Sequence, residues 1–231
     1  MSTGSFVKGV ASRQVLADQV YEELLAALID GRLAAGESLN IDALARDFGI
    51  SPTPIREALA RLESTGLVIR AALKGYKVAP LFSVDELSEL MEARLVLEPE
   101  NAFRACGHST DDFVTELDSS IQQLSRSAER NGAETIRPYW LADERFHRLI
   151  AEQSGNRFLL SAYTALGGHV QRFRLFGGLV VSDADRAIAE HTEILDAIRL
   201  GDAEAARVSM ARHIENVRSR AIDDKEHLPH A

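Results

Sequence analysis

The chain has 231 residues, of which 45% are hydrophobic and 26% charged, a balance typical of globular proteins large enough to bury a core. No apolar run approaches the roughly 18 residues of a membrane span, and the first residues lack the apolar segment of a secretion signal. The single cysteine, Cys106, excludes an intrachain disulfide, so we expect a protein of the reducing cytoplasm with no membrane partner.

The net charge of −9 argues against a nucleic-acid binder until it is divided by position. Residues 1–80 carry nine Lys or Arg and nine Asp or Glu, whereas residues 81–231 carry seventeen and twenty-six. Between Ser51 and Lys77 there are five cations and two anions. A local basic patch can therefore dock on phosphate while the acidic excess lies elsewhere in the chain.

The first part of the chain predicts three helices. The first nine residues are small or polar and predict a mobile tail. Apolar residues then recur at helical spacing from Val15 to Ile29. A second helix from Ile41 to Phe48 is expected to stop at Gly49, and a third follows Ser51, which can cap it, with two prolines in its first turn.

Two β-prone segments, LVIR and YKVAP, follow the third helix in the sequence and are joined by AALKG, which predicts a β-hairpin. After Pro80 the pattern changes to long helices separated by short Gly, Asp or Asn breaks, with no strand signal. We therefore expect a mostly α protein, with a winged helix-turn-helix domain at residues 10–80 and an all-helical antiparallel bundle at residues 81–224.

In a winged helix-turn-helix, the second helix of the helix-turn-helix pair enters the major groove of DNA. In this chain that helix is the third predicted one, which follows Ser51. The segment SPTPIREAL places Ser51, Thr53 and Arg56 at the start of that helix. Hydroxyls and N-terminal N–H groups suit phosphate oxygens, and Arg56 can reach a phosphate or a guanine edge. The alternative is a protein-interaction module in which Arg56 pairs with an acid.

The stretch GESLNIDALARDFGISPTPIREALARLESTGLV, followed by KGYKV, closely resembles the winged-helix domain of the GntR family of bacterial regulators over residues 12–80. The family's VSRTPVREAL turn is matched by ISPTPIREAL. The resemblance implies that operator DNA is contacted by four residues: Ser51, Thr53, Arg56 and Gly75. The family commonly has Arg at the positions of Pro52 and Asp42, so we expect an altered operator preference.

Asp143 and His147 lie four residues apart in LADERFHRLI and therefore share one helix face. His191 and His213 lie on two further predicted helices. One carboxylate and three imidazoles are a familiar ligand set for zinc or a similar divalent cation. A core histidine that bonds a backbone carbonyl is the commoner case, so the residues alone leave both interpretations open.

Residues 84–222 resemble the FCD domain of the FadR branch of GntR regulators, and their helix count is similar to that of the VanR subgroup. The matching segments are EARLVLEPE, DERFH, EHTEI and ARHI. The resemblance implies that Asp143, His147, His191 and His213 bind a divalent metal, zinc in the first instance and nickel or manganese as alternatives. The other four histidines predict surface or tail positions: His108, His169, His227 and His230.

Arg94 lies on the first predicted helix of this domain, four residues before Glu98. That spacing predicts a salt bridge, whereas the resemblance favours a guanidinium that points into a pocket and binds a carboxylate bidentately. Arg172 and Arg174 could also line the pocket, with at most one of them facing inward. We expect the effector to be a small anionic organic acid, held between the metal and Arg94.

These features predict a ligand-responsive, sequence-specific transcriptional regulator, expected to be a repressor, that binds double-stranded operator DNA as a homodimer. The alternative is a metal-dependent hydrolase fused to a DNA-binding arm. Glu144 and Glu190 should point about 100° away from the neighbouring ligands, so no general base is recognisable and we expect no enzyme. A purely structural metal is a third interpretation.

Overall fold

The computed structural model describes residues 7–29, 31–71, 75–128, 136–176 and 184–227, with some side chains in these ranges left out. The chain divides into two units, and the boundary between them in the sequence follows Leu81. The elements in chain order are α1 (Val7–Ile29), β1 (Ser38–Leu39), α2 (Ile41–Phe48), α3 (Pro52–Ser64), β2 (Val68–Ala71), β3 (Gly75–Val78), α4 (Val84–Gly107), α5 (Asp111–Ala128), α6 (Ile136–Gln153), α7 (Arg157–Phe176), α8 (Ala184–Arg199) and α9 (Ala203–His227). The expected mostly α architecture is confirmed.

The first unit is a three-helix cluster with a small sheet. Asn40 caps α2 by accepting a hydrogen bond from the Ala43 amide, and Gly49 ends the helix in the left-handed region at φ 66°. The apolar face of α3 is fully buried, and α1 packs against that helix. The sheet has the order β1-β3-β2, and both pairs are antiparallel.

Two expectations for this unit were wrong. The first helix begins at Val7 rather than Val15, so part of the expected mobile tail is helical, while residues 1–6 lie outside the described residues. The strand Ser38–Leu39 was not expected, because two residues carry no periodicity to detect. It forms because β3 offers it backbone partners in the register Ser38 to Lys77 and Leu39 to Tyr76.

The second unit is a bundle of the helices α4 to α9. Ser83 begins α4 with a capping box, in which its hydroxyl accepts from the Glu86 amide and the Glu86 carboxylate accepts from the Ser83 amide. α4 packs most extensively against α9, and α5 against α6. Phe146, Ile194 and Ile214 are among the fully buried residues at the centre of the bundle.

Within the described residues, no helix is long and apolar enough to cross a membrane.

Candidate DNA interface and metal centre

The start of α3 presents hydroxyls rather than a full set of amides. Ser51 occupies the N-cap position in extended conformation, but its side chain makes no capping bond. The reason is local: Pro52 and Pro54 occupy the first and third helical positions, and proline has no N–H to donate. The expected capping by the Ser51 side chain is therefore absent, and this helix end offers fewer amides to a phosphate than most. Ser51 and Thr53 are both exposed.

Arg56 lies on the exposed face of α3, beside an open cleft of about 620 Å³ between that helix and the hairpin. Thr53, Arg70 and Gly75 also line the cleft. Among the described residues Arg56 makes no ion pair or hydrogen bond. The alternative of a structural ion pair at Arg56 therefore has no partner in the described part of the chain.

The other arginines of the basic patch have intramolecular partners. Arg61 contacts Asp18 at 2.5 Å and stacks on the Tyr21 ring. Arg70 lies 3.2 Å from Glu63. Lys74 lies outside the described residues. These pairs reduce the charge that the patch can offer to DNA, which leaves Arg56 as its unpaired arginine among the described residues.

Gly75 is required by backbone geometry. It begins β3 at φ 85°, and a Cβ at this position would lie 3.3 Å from the backbone oxygen of Leu39. Any other residue would be strained here and would press on β1. Glycine thus allows the hairpin to close against the two-residue strand, whatever its contact with DNA.

Three histidines meet in the interior of the helical unit. His147 on α6, His191 on α8 and His213 on α9 each contribute a ring nitrogen, and these atoms lie within 4.8 Å of one another. All three residues are at most 2% exposed. The packing of α6, α8 and α9 thus brings together three histidines that are 44 and 22 residues apart in the sequence.

Asp143, one turn before His147, joins the cluster. Its Oδ1 lies 3.4 Å from Nε2 of His191 and 3.9 Å from Nε2 of His147. Ligand atoms around one ion with bonds of about 2.1 Å lie roughly 3 to 4 Å apart, so these two distances are compatible with a cation shared by Asp143, His147 and His191. Nε2 of His147 is buried and has no hydrogen-bond partner among the described residues, as expected for a nitrogen that binds a metal.

Glu98 was expected only as a partner of Arg94, but it contacts two side chains. One carboxylate oxygen lies 2.5 Å from Nε of Arg94, and the other lies 2.6 Å from Nδ1 of His147 in a contact poorly aligned for a hydrogen bond. Burial alone raises the pKa of Glu98, but Arg94 and His147 outweigh it and hold the pKa well below its usual range. A charged Glu98 favours a proton on Nδ1 of His147, which leaves Nε2 as a ligand.

Glu190 was expected to point about 100° away from the neighbouring His191, but its contact with another histidine of the cluster was not expected. Its carboxylate lies 2.7 Å from Nδ1 of His213 and accepts hydrogen bonds from Asn216 and Arg220. A side chain turned about 100° from His191 on α8 faces α9, where His213 lies. The signal in the sequence was the polar stripe His213, Asn216 and Arg220 on α9, whose spacing of three and four residues places them on one face.

Burial and hydrogen bonding shift the pKa values of this pair in a consistent way. Burial lowers the pKa of His213 to about 4, so its ring is neutral at pH 7 and competent to bind a cation. Burial raises the pKa of Glu190, but hydrogen bonds from His213 and Arg220 lower it to about 2. Glu190 therefore stays charged and fixes the ring orientation of His213.

The guanidinium of Arg94 retains hydrogen-bond donors that Glu98 does not use. Nε and Nη2 face the Glu98 carboxylate, whereas Nη1 contacts only the Met91 sulfur at 3.8 Å among the described residues. The expected salt bridge is present, and a further contact to an effector is compatible with it. Burial raises the pKa of the Tyr163 phenol, and the charge of Glu98 adds to that shift.

None of the remaining predicted residues whose side chains the structure describes belongs to the histidine cluster. His108 and His169 are exposed, while the side chains of His227 and Arg174 and the whole of His230 lie outside the described residues. Arg172 is 8% exposed and its guanidinium stacks at 3.8 Å on the Phe82 ring. Glu144 is paired with Arg148 and contacts none of the three histidines directly.

Comparisons with known families agree with this two-part organisation. Residues 16–78 match the model of the bacterial regulatory proteins of the gntR family, and residues 89–216 match the FCD domain model. The gntR description is of regulatory proteins, and the similar curated proteins are transcriptional regulators rather than enzymes, as expected.

Similar proteins extend over nearly the whole chain. The helix-turn-helix type transcriptional regulator YdhC of Bacillus subtilis is 26% identical over 92% of this chain and 90% of its own length. The gluconate operon transcriptional repressor of Bacillus licheniformis is 26% identical over 87% of this chain and 83% of its own. The solved structure of E. coli McbR/YncC covers 91% of this chain and 98% of its own with a TM-score of 0.74 at 24% identity, which shows a shared fold.

Proposed function

Because the chain belongs to the GntR family of bacterial regulators with an FCD domain, we propose that it is a metal-dependent, effector-responsive repressor that binds operator DNA as a homodimer. The observation that carries the proposal is the buried cluster of His147, His191 and His213 beside Asp143. Two of these rings face a carboxylate, that of Glu98 at His147 and that of Glu190 at His213, which supports a role of the cluster in metal binding.

Operator binding is proposed to depend on the exposed end of α3. Among the described residues that line the cleft, Arg56 is a cation without an ion pair, and Ser51 and Thr53 provide hydroxyls at the same end of the helix. Gly75 holds the wing backbone at the cleft's edge. A guanidinium without an internal partner keeps all five donors for phosphate or guanine.

The metal would be held by Asp143, His147, His191 and His213. Neutral imidazole and carboxylate ligands suit zinc first, with nickel or manganese as alternatives. A bound cation supplies positive charge and open coordination positions that attract an anionic effector. The chain's own residues orient the ligands, through Glu98 at His147 and Glu190 at His213.

The effector is proposed to be a small organic acid that reaches both the metal and Arg94. Arg94 is 2% exposed and has donors beyond those that face Glu98, so a second carboxylate oxygen can bind there. Binding energy that differs between two conformations shifts operator affinity by the same coupling energy with which DNA shifts effector affinity.

Calorimetry on the full chain tests this function. We expect the metal-loaded protein to bind members of a panel of di- and tricarboxylates, and operator affinity to fall in the presence of the acid that binds. His191→Ala should abolish acid binding because it removes a metal ligand. Arg94→Lys is preferable to Arg94→Ala, because a lysine keeps a cation beside the buried Glu98. Acid binding that survives both substitutions would exclude this site.

A further inference from the structure

Arg46 on α2 is an exposed arginine that makes no ion pair or side-chain hydrogen bond among the described residues. Arg56 shares this property, whereas the other exposed arginines described in the first unit, Arg32, Arg61 and Arg70, each interact within the chain. A guanidinium without a partner keeps five N–H donors in a planar fork, which suits the oxygens of a phosphate. Arg46 is therefore a cation that the fold of this unit leaves unused.

The side chain of Arg46 leaves α2 on its solvent side. The helix packs on the core of the unit through Ala45, with Ile41 and Phe48 half-buried on the same side. At 100° per residue, Arg46 lies about 130° around the helix axis from the mean direction of these three residues. Its guanidinium is thus available to a partner outside the unit.

The position of α2 makes the DNA backbone the partner that fits. In a helix-turn-helix the first helix crosses the backbone while the second enters the major groove. Ile41, the first residue of α2, lines the same cleft as Thr53 and Arg56 of α3, so this helix starts beside the candidate DNA interface. Arg46 lies five residues later, about 7.5 Å along the helix axis.

Two features of α2 bear on what Arg46 does. Asp42 lies one turn earlier at a spacing that favours an ion pair, yet neither side chain has a partner in the described part of the chain. An exposed pair of this kind is weak even where it forms, so it does not keep Arg46 from a phosphate. Arg46 also lies in the last turn of α2, where a cation interacts favourably with the helix dipole. A role in helix stability is therefore the competing interpretation.

We propose that Arg46 binds a phosphate of the DNA backbone beside the groove that α3 enters. The proposal rests on the proposed function, since it adds a contact to the same DNA complex. A phosphate contact fixes the register of the protein on the duplex and carries no sequence information. Arg46 therefore contributes affinity on any duplex, in contrast to a residue that reads a base.

A mixed-sequence duplex of about three helical turns is the probe, because a phosphate contact needs no particular operator. Fluorescence anisotropy of the labelled duplex measures binding by the full chain at several salt concentrations. We expect Arg46→Gln to weaken binding about threefold or more at low salt. The slope of log K against log salt concentration should become shallower by about 0.9 for each half-site bound. Arg46→Lys should keep the wild-type slope, because it keeps the charge.

Arg61→Gln is the matched control, since it removes the same charge from the same unit but at a residue engaged with Asp18 and Tyr21. We expect its slope to equal that of wild type. A wild-type slope for Arg46→Gln, or equal slope changes in Arg46→Gln and Arg61→Gln, would overturn the proposal.

Thermal unfolding of the same variants without DNA tests the competing interpretation. If Arg46 serves only the helix dipole, Arg46→Gln melts at a lower temperature while its salt slope stays at the wild-type value, and the proposal is wrong. Failure here is separable from failure of the proposed function. A wild-type protein that binds no duplex at any salt concentration contradicts DNA binding as a whole, whereas an unchanged slope in Arg46→Gln contradicts the contact of Arg46 alone.

Discussion

The residues that make this site chemically competent are its carboxylates as much as its histidines. Glu190 fixes His213, and Glu98 faces both His147 and Arg94. Each carboxylate favours a proton on the Nδ1 atom it faces, so that the other ring nitrogen is presented to a cation. The same pairing places two negative charges beside the histidine cluster, which favours the binding of a divalent cation.

Glu190→Gln should weaken metal binding by about 10–100-fold, because the amide holds His213 less firmly and adds no negative charge. Competition with a calibrated chelator measures the affinity. Glu193→Gln is the control, since Glu193 lies on the same helix but is exposed and paired with Arg212. Equal metal affinities of the Glu190→Gln and Glu193→Gln variants would show that Glu190 does not contribute to metal binding.

Arg56→Ala should cost about 1–3 kcal/mol of operator binding if the guanidinium contacts a base, and less, uniformly over all sequences, if it contacts phosphate. Arg61→Ala makes the same charge change on the same helix, but Arg61 is engaged with Asp18 and Tyr21. Gel-shift titrations at one fixed salt concentration compare the two. If Arg61→Ala lost as much operator affinity as Arg56→Ala, the affinity would depend on total charge alone and not on the position of Arg56 in the cleft.

At the scale of elements, features that depend on neighbouring residues were predicted correctly, whereas features that depend on distant residues were missed. The stop of α2 at Gly49 is encoded by one residue in the left-handed region, and it formed as expected. The strand β1 depends on backbone partners in β3, which is distant in sequence, and it was not expected. The start of α1 at Val7 was not expected either.

The capping box of α4 gives an element-scale prediction. Ser83→Ala should lower the stability of the helical unit by about 1 kcal/mol, a fall of roughly 2–4 °C in melting temperature, because it removes an acceptor for the Glu86 amide. Ser83→Asp should restore the stability, since aspartate caps equally well. Calorimetric melting curves measure both variants. If Ser83→Ala had the melting temperature of the wild type, packing rather than the cap would stabilise this end of the helix.

Glu86 adds a pH dependence of known sign. Hydrogen bonds from Ser83 lower its pKa below 4.5 in the folded protein, so its charged form contributes stability above about pH 4.5. That contribution is lost as the pH falls through the lowered folded value. We expect the stability difference between wild type and Glu86→Gln to shrink as the pH is lowered below 4.5. A difference that stays constant from pH 7 to pH 3 would exclude this effect.

At the scale of the molecule, a bound metal would join three helices. The ligands come from α6, α8 and α9, and Glu98 connects α4 to them. Stripping the metal should therefore lower the unfolding temperature of the helical unit while leaving the transition of the winged unit in place. Scanning calorimetry with and without chelator measures both. His213→Ala should abolish the chelator effect, and the exposed His108→Ala should preserve it.

A second molecular prediction concerns assembly. One short recognition helix reads too few bases for genomic specificity, so we expect a homodimer on a pseudo-palindromic operator with half-sites about one helical turn apart. Sedimentation in solution and footprinting on DNA measure the two properties. A monomer that protects one half-site with full affinity would contradict this prediction.

The sequence by itself determined the mostly α architecture, the winged helix-turn-helix, and the types of residue that could bind a metal. Periodicity and turn residues act over a few positions, so Gly49 and the face shared by Asp143 and His147 are readable without a structure. The same locality explains how SPTPIREAL could be interpreted as a recognition helix.

Only the tertiary structure decided which helix faces meet. The contacts of Glu190 with His213 and of Glu98 with His147 each join helices that are far apart in sequence. Helical periodicity fixes where a side chain points around its own axis, but the neighbouring helix on that side is set by packing of the whole bundle. The physical limit is therefore one of range: local rules predict faces, and three-dimensional packing determines the partners.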